Sequence, residues 1–178
     1  DGNVVTRFLP ERNVSSNLDG LRKKASQTNG LVYAVMIDNH GSGRPYHYGI
    51  GDASIFYEAL AEGGITRIMA IFDGSFFGKV GPVRSARPYF VDWAEEYDPV
   101  FIHVGGSGDA MAELFNENRD TLFNIDGLIY EGFDEYFKRD DNIARPHNDF
   151  ANLININNRL VVPQGWDNDI EDSHFKFG

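Results

Sequence analysis

At 178 residues the chain fits one domain, large enough to bury roughly two-thirds of the surface its unfolded form exposes, so no metal or disulfide staple is required. Hydrophobic residues at 42% against 24% charged exclude a disordered segment, and a formal net charge of −11 argues against nucleic acid or an anionic membrane surface as the main partner. The absence of cysteine removes disulfides, thiol catalysis and thiolate metal sites without fixing the compartment.

The first 30 residues are polar and weakly patterned and read as an N-terminal arm, with a short helix expected around 18–25. Leu31–Ile37 is a short apolar run with β-branched residues between Asn29-Gly30 and Asp38-Asn39, the pattern of a buried central strand. Residues 38–52 hold several glycines and Pro45 and form a loop. Two apolar stretches, 54–61 and 65–72, flank Glu62-Gly63-Gly64 and predict a β-hairpin, a helix over 53–62 being the rival reading. Pro88–Tyr97 suits a helix with proline in its first turn. Pro99–Val104 is a second buried strand, broken by Gly105-Gly-Ser-Gly108 and followed by an amphipathic helix over 109–118. A loop around Asp126-Gly127 precedes a last helix expected over 148–157. The fold class is α/β: a single domain with a central mixed sheet, including the hairpin near 54–72, flanked by helices. No apolar run approaches the roughly 20 residues that span a bilayer.

Four polar clusters fall at the ends of these elements, where α/β folds build their sites. Asp38-Asn39-His40 follows the first strand and offers a metal or acid/base pair, or merely an Asx turn. Arg84-Ser85-Ala86-Arg87 enters a helix N-terminus with two guanidinium forks three residues apart, an arrangement suited to phosphate or carboxylate. His103, with Gly105 and Gly106, is a candidate general acid beside a phosphate cradle, or a tight turn capped by Ser107 or Asp109. Arg145-Pro-His147-Asn148-Asp149 carries one more histidine, with Asn148 or Asp149 suited to capping the helix that follows. Arg84, Arg87, His103 and His147 are expected to converge, with Glu58 or Glu62 of the hairpin as carboxylate partner. Asp38, Glu58 and Glu62 are the candidate ligands of a divalent metal. The nucleophile elbow and the H-E-x-x-H pattern are absent, and Asp167–Asp172 lacks the glycine of a calcium loop.

Taken in order, Ala34–His40, Tyr57-Glu-Ala-Leu-Ala-Glu-Gly-Gly-Ile-Thr-Arg67, Gly81-Pro-Val-Arg-Ser-Ala-Arg-Pro-Tyr-Phe-Val-Asp92, His103 with Gly105-Gly106, and Pro146-His-Asn148 resemble the YerB-like lipoprotein family of bacteria. The likeness runs from about Val32 to Asn148. Gly41-Ser-Gly43, Tyr46-His-Tyr48 and Phe76-Phe77 stand apart from it and are set aside as site residues. The resemblance implies a domain of unknown function at 31–172, the start of a second, β-rich domain at 173–178, and a lipid anchor upstream of Asp1. That anchor would be the one link to a membrane and would hold the protein on the outer face of the bacterial cytoplasmic membrane. No catalytic role travels with the family. The residues themselves favour binding of an anionic envelope ligand, with Arg67, Arg84, Ser85, Arg87, Asn39, Asn148, Gly105 and Gly106 as contacts. A metal-assisted phosphotransferase or phosphodiester hydrolase, with His103, His147 or Glu58 as the catalytic group, is the second reading. A scaffold for a further domain or a protein partner is the third.

Overall fold

Ten strands and three short α-helices build the domain in a computed structural model that describes residues 13–16, 18–24, 31–74, 78–116, 120–130 and 134–166. In chain order they are β1 (Asn13–Ser15), β2 (Arg22–Lys24), β3 (Val32–Asp38), β4 (Ile55–Leu60), β5 (Thr66–Asp73), β6 (Lys79–Val80), α1 (Pro88–Ala94), β7 (Val100–His103), α2 (Gly108–Leu114), β8 (Phe123–Asp126), β9 (Phe137–Arg139), β10 (Asp149–Asn152) and α3 (Leu153–Ile156).

The central sheet runs β4-β5-β3-β7-β8. β3 pairs antiparallel with β5 on one side and parallel with β7 on the other, so the sheet is mixed. All seven residues of β3 are buried, which is why this strand reads as an unbroken apolar run rather than an alternating one. Its period-two alternation still sorts the two layers. Tyr33, Val35 and Ile37 face a layer with Val80, Phe137, Ala151, Leu153 and Ile156, supplied by the small β6-β10-β9 sheet and by α3. Val32, Ala34 and Met36 face Phe90, Val91 and Ala94 of α1 and Ala110 and Leu114 of α2. The domain is therefore three layers deep, with aromatic residues on both faces.

The hairpin expected over 54–72 is β4 and β5, closed by a tight turn at Glu62–Gly64 in which Gly63 and Gly64 both take positive φ, as the turn geometry demands. The rival helix over 53–62 is thereby excluded. Two expected helices are corrected. Around 18–25 the chain turns through Gly20 (φ 70°), with Ser16 N–H donating to the Leu21 carbonyl, and returns as β2 against β1. The helix expected over 148–157 begins only at Leu153, because Asn152, not Asn148 or Asp149, is its cap and accepts from Asn155 N at 3.3 Å. The four residues before it satisfy their backbone in β10 instead. The acidic stretch 167–172 and the residues 173–178 lie outside the described residues. Among the described residues no helix is long and apolar enough to cross a membrane.

Candidate functional site

β3, β7 and β8 run parallel, and their carboxyl ends carry Asp38, His103 and Asp126. From β3 the chain turns outward to β4 and β5 on one side, whereas from β7 it proceeds to β8 on the other. The boundary between β3 and β7 is thus a switch point of the kind at which open α/β sheets hold ligands. β3 and β7 pair only as far as Val35 and Ile102. Beyond that point the segment Val83–Ala86 is wedged between them: Arg84 N–H donates to the Met36 carbonyl at 2.9 Å and Val104 N–H to the Arg84 carbonyl at 3.1 Å. The arginine-bearing segment therefore lies in the crevice itself.

Asp38 is the centre of the first cluster and is 3% exposed. One carboxylate oxygen accepts from His40 N–H at 2.8 Å, while the other accepts from His147 Nδ1 and lies 3.7 Å from Arg84 Nε. His47 Nε2 donates to the Asp38 carbonyl at 2.5 Å. The His40 and His147 rings stack, with centroids 5.1 Å apart and planes 16° from parallel. Arg84 also donates from Nη1 to the Pro146 carbonyl at 3.1 Å, which ties the 140–148 loop to the end of β3. The site is tight: a methyl group on Gly43 would stand 2.6 Å from Asp38 Oδ2. Asn39 is saturated by Glu58 (2.8 Å) and Thr66 (2.7 Å) as acceptors and by Arg44 Nε (2.9 Å) as donor, so it pins the loop to the hairpin.

The second cluster joins the hairpin tip to the crevice segment. Arg87 pairs with Glu62 through Nε and, at 2.5 Å, through Nη2. Arg67, 7% exposed and opposite Asp38 across β5 and β3, donates to the Ser85 carbonyl at 2.8 Å and has its Nη2 4.0 Å from Glu62. Burial first, then the charges of Arg87 and Arg84, pull Arg67 down to about 10, with Glu62 and Asp38 opposing. The hydrogen bond from Arg87 is the main cause that holds Glu62 down at about 2.

The third cluster is enclosed. His103 has no exposed surface; its Nδ1 meets the Gly105 carbonyl and its Nε2 the Asn124 side-chain oxygen, both at 2.8 Å. Gly105 takes φ +63° and its N–H donates to Asp126 at 2.8 Å, while Ser107 N–H donates to the Ala86 carbonyl at 3.3 Å. A methyl group on Gly106 would meet Met111 Sδ at 2.7 Å. Ser107, rather than Asp109, caps α2. The amides of this turn at Gly105 and Ser107 are spent inside the fold.

The structure thus brings Arg84 and His147 to the same carboxylate of Asp38, Arg87 to Glu62, and Glu58 to Asn39 and Thr66, and keeps His103 in a separate network. Of the three metal candidates, Asp38 is committed to His147 and the His40 amide, Glu58 to Asn39 and Thr66, and Glu62 to Arg87. Among the described residues no three His, Asp or Glu side chains are disposed to hold a metal ion. Asn148 is 2% exposed; Nδ2 donates to the Asp140 carbonyl at 3.3 Å, and its side-chain oxygen has no partner among the described residues. His47 and Arg44, set aside or passed over in the sequence, join the Asp38 cluster. Their only signal was a loop unusually dense in His and Arg beside a strand-ending Asp.

These features define a three-layer α/β domain with a carboxylate–histidine–arginine cluster at the switch point of its sheet. The chain belongs to the family described as "Protein of unknown function (DUF3048) N-terminal domain", which matches residues 18–164. It is 38% identical over 140 residues to the "Putative lipoprotein YerB" of Bacillus subtilis (strain 168), covering 79% of this chain and 40% of that protein. The crystal structure of YerB from Bacillus subtilis matches with a TM-score of 0.77 at 35% identity, over 86% of this chain and 51% of that one. The chain therefore spans 40% of the length of this curated relative. The resemblance carried by the Tyr57–Arg67 and Gly81–Asp92 strings holds.

Proposed function

We propose that this domain binds an anionic, phosphate- or carboxylate-bearing ligand of the cell envelope through Arg84, Arg87 and Arg67. One observation carries the reading: three guanidinium groups crowd the crevice between β3 and β7 of a chain whose net charge is −11. Like charges held close and partly buried cost free energy, and Asp38 and Glu62 compensate only two of the three. A bound anion supplies the missing charge, and the paired forks suit planar oxygen donors. The lipoprotein name of the Bacillus subtilis relative supports a lipid-anchored station on the outer face of the cytoplasmic membrane, where phosphate-bearing polymers and carboxylate-rich peptides abound.

A scaffold reading is favoured by one contact, the two-pronged Glu62–Arg87 pair, which closes the hairpin tip over the crevice segment. Thermal unfolding with pyrophosphate separates the two. A ligand at about 100 times its Kd stabilises the fold by about 2.7 kcal/mol, a rise of roughly 5–10 °C for a domain this size. We expect that rise in the wild type and its loss in Arg84→Ala. No shift with pyrophosphate, citrate or a polyglutamate peptide would leave the scaffold reading in possession.

A further inference from the structure

We infer that His147 is a general base locked in one tautomer by Asp38, and that the domain hydrolyses a phosphate ester gripped by Arg84. The inference rests on the anion-binding reading above. Three histidines surround Asp38, and the partner of each fixes where its proton sits. His47 donates from Nε2 to a carbonyl. His40 accepts the Ser42 amide on Nδ1 at 3.1 Å, so its proton is on Nε2. His147 differs. Its Nδ1 faces a carboxylate that can only accept, so Nδ1 carries the proton and Nε2 keeps a lone pair. No described residue bonds that nitrogen, and the side chain is 13% exposed. His47 also keeps a lone pair, on Nδ1, but its proton is held by a backbone carbonyl; of the three rings, only His147 has its tautomer set by a carboxylate.

The surroundings hold that base still. Asp38 is itself fixed by the His40 amide, and the His40 ring lies flat against His147. A buried carboxylate that sets the tautomer of a histidine and steadies the imidazolium that forms is the working arrangement of many hydrolases. Arg84 stands beside it with two shared neighbours, Asp38 Oδ2 and the Pro146 carbonyl next to His147. Its Nε is buried and has no hydrogen-bond partner among the described residues, a donor whose desolvation is left uncompensated. A fork-shaped cation and an oriented base side by side are the two parts that ester hydrolysis of an anion needs.

The step balances. His147 Nε2 takes a proton from water, and the water oxygen bonds to phosphorus while Arg84 holds the non-bridging oxygens. The P–O bond to the alcohol breaks, its electron pair leaves with the alcohol oxygen, and the imidazolium returns the proton to that oxygen. Ester and water become alcohol and phosphate, and His147 ends neutral.

The test uses bis(p-nitrophenyl) phosphate turnover, pyrophosphate binding and ¹⁵N NMR of the imidazoles. We expect turnover by the wild type, a loss of at least about a hundredfold in His147→Gln, and the Nδ1–H tautomer at His147 with Nε2–H at His40. Should His147→Gln fail to fold, the wild-type tautomer decides alone, and Nε2–H at His147 would overturn the inference. Pyrophosphate binding without turnover would also overturn it and leave the anion site standing. Neither binding nor turnover would remove both.

Discussion

Asp38→Asn probes the cluster most directly, because it keeps the size of the side chain and deletes only the charge and one acceptor. In the wild type Oδ2 faces His147 Nδ1 and Arg84 Nε at 3.7 Å, both of them donors. Gross attraction to Arg84 at that distance is about 4–5 kcal/mol at an effective dielectric of about 20. Arg84 is 23% exposed, so solvent screens a good part of this, and the carboxylate in turn escapes a desolvation cost in the variant. Against that, an amide nitrogen placed at Oδ2 would leave His147 Nδ1 without its acceptor and turn a second donor toward Arg84 Nε. Breaking one side of a buried pair costs about 3–5 kcal/mol, and the partial exposure of Arg84 puts the expected loss near 3. Urea unfolding should show that loss in the midpoint with the slope unchanged, and Tm should fall by roughly 6–12 °C. A cycle with Arg84→Met isolates the pair: we expect a coupling above about 1 kcal/mol, whereas additivity within about 0.5 kcal/mol, or a loss under 1 kcal/mol for Asp38→Asn alone, would refute the account.

The sheet was legible because burial writes itself into composition. Val32–Asp38 and Val100–His103 are buried at every position, and the hairpin announces itself through Glu62-Gly63-Gly64, where two adjacent positive φ values require glycine. β8, β9 and β10 were not legible. Each is three or four residues long, too short for a local period to develop, and β10 also satisfies its backbone against a strand distant in sequence, Ala151 opposite Val80. At the site, the residue types marked segments that the fold brings together: Asp38 ends β3, Arg84 follows β6, and His147 stands two residues before β10. The pairing did not follow. Asp38 and His147 are separated by 109 positions, and nothing in either local segment says that His147 turns to Asp38 while His103 turns inward to Gly105 and Asn124. Partner choice among polar groups is set by tertiary register, which spacing along the chain does not encode.

Glu62 gives a pH signature. Its folded-state value is held near 2, chiefly by the bond from Arg87, below the ordinary 4.5, so its contribution is full above pH 4.5 and is lost as pH falls toward 2. With the side chain 66% exposed the effect is at most about 1 kcal/mol, and Glu62→Gln should flatten the acid limb by that amount in urea titrations; parallel limbs would sink the claim. Gly105→Ala should cost about 1–2 kcal/mol in the same measurement, because φ is +63° and the new methyl meets Leu128 Cδ1 at 3.0 Å; an unchanged midpoint would show that the turn adapts freely. Gly43→Ala tests how closely the loop is fitted to the carboxylate. Gly43 has an ordinary φ of −88°, so backbone strain is not the issue; the obstacle is Asp38, whose Oδ2 and Cγ lie 2.6 and 2.7 Å from the added carbon. Either the loop lifts or the carboxylate rotates away from His147, at about 1–3 kcal/mol for an overpacked site. Gly41, two residues earlier in the same loop, has nothing within 4 Å of the equivalent position, and Gly41→Ala should stay within about 0.5 kcal/mol of wild type. If Gly43→Ala displaces Asp38, pyrophosphate affinity falls and His147 loses its single tautomer in ¹⁵N spectra, while Gly41→Ala changes neither. Equal behaviour of the two variants would mean that the loop carries the carboxylate without gripping it, and that the order of the cluster comes from Arg84 and His147 alone.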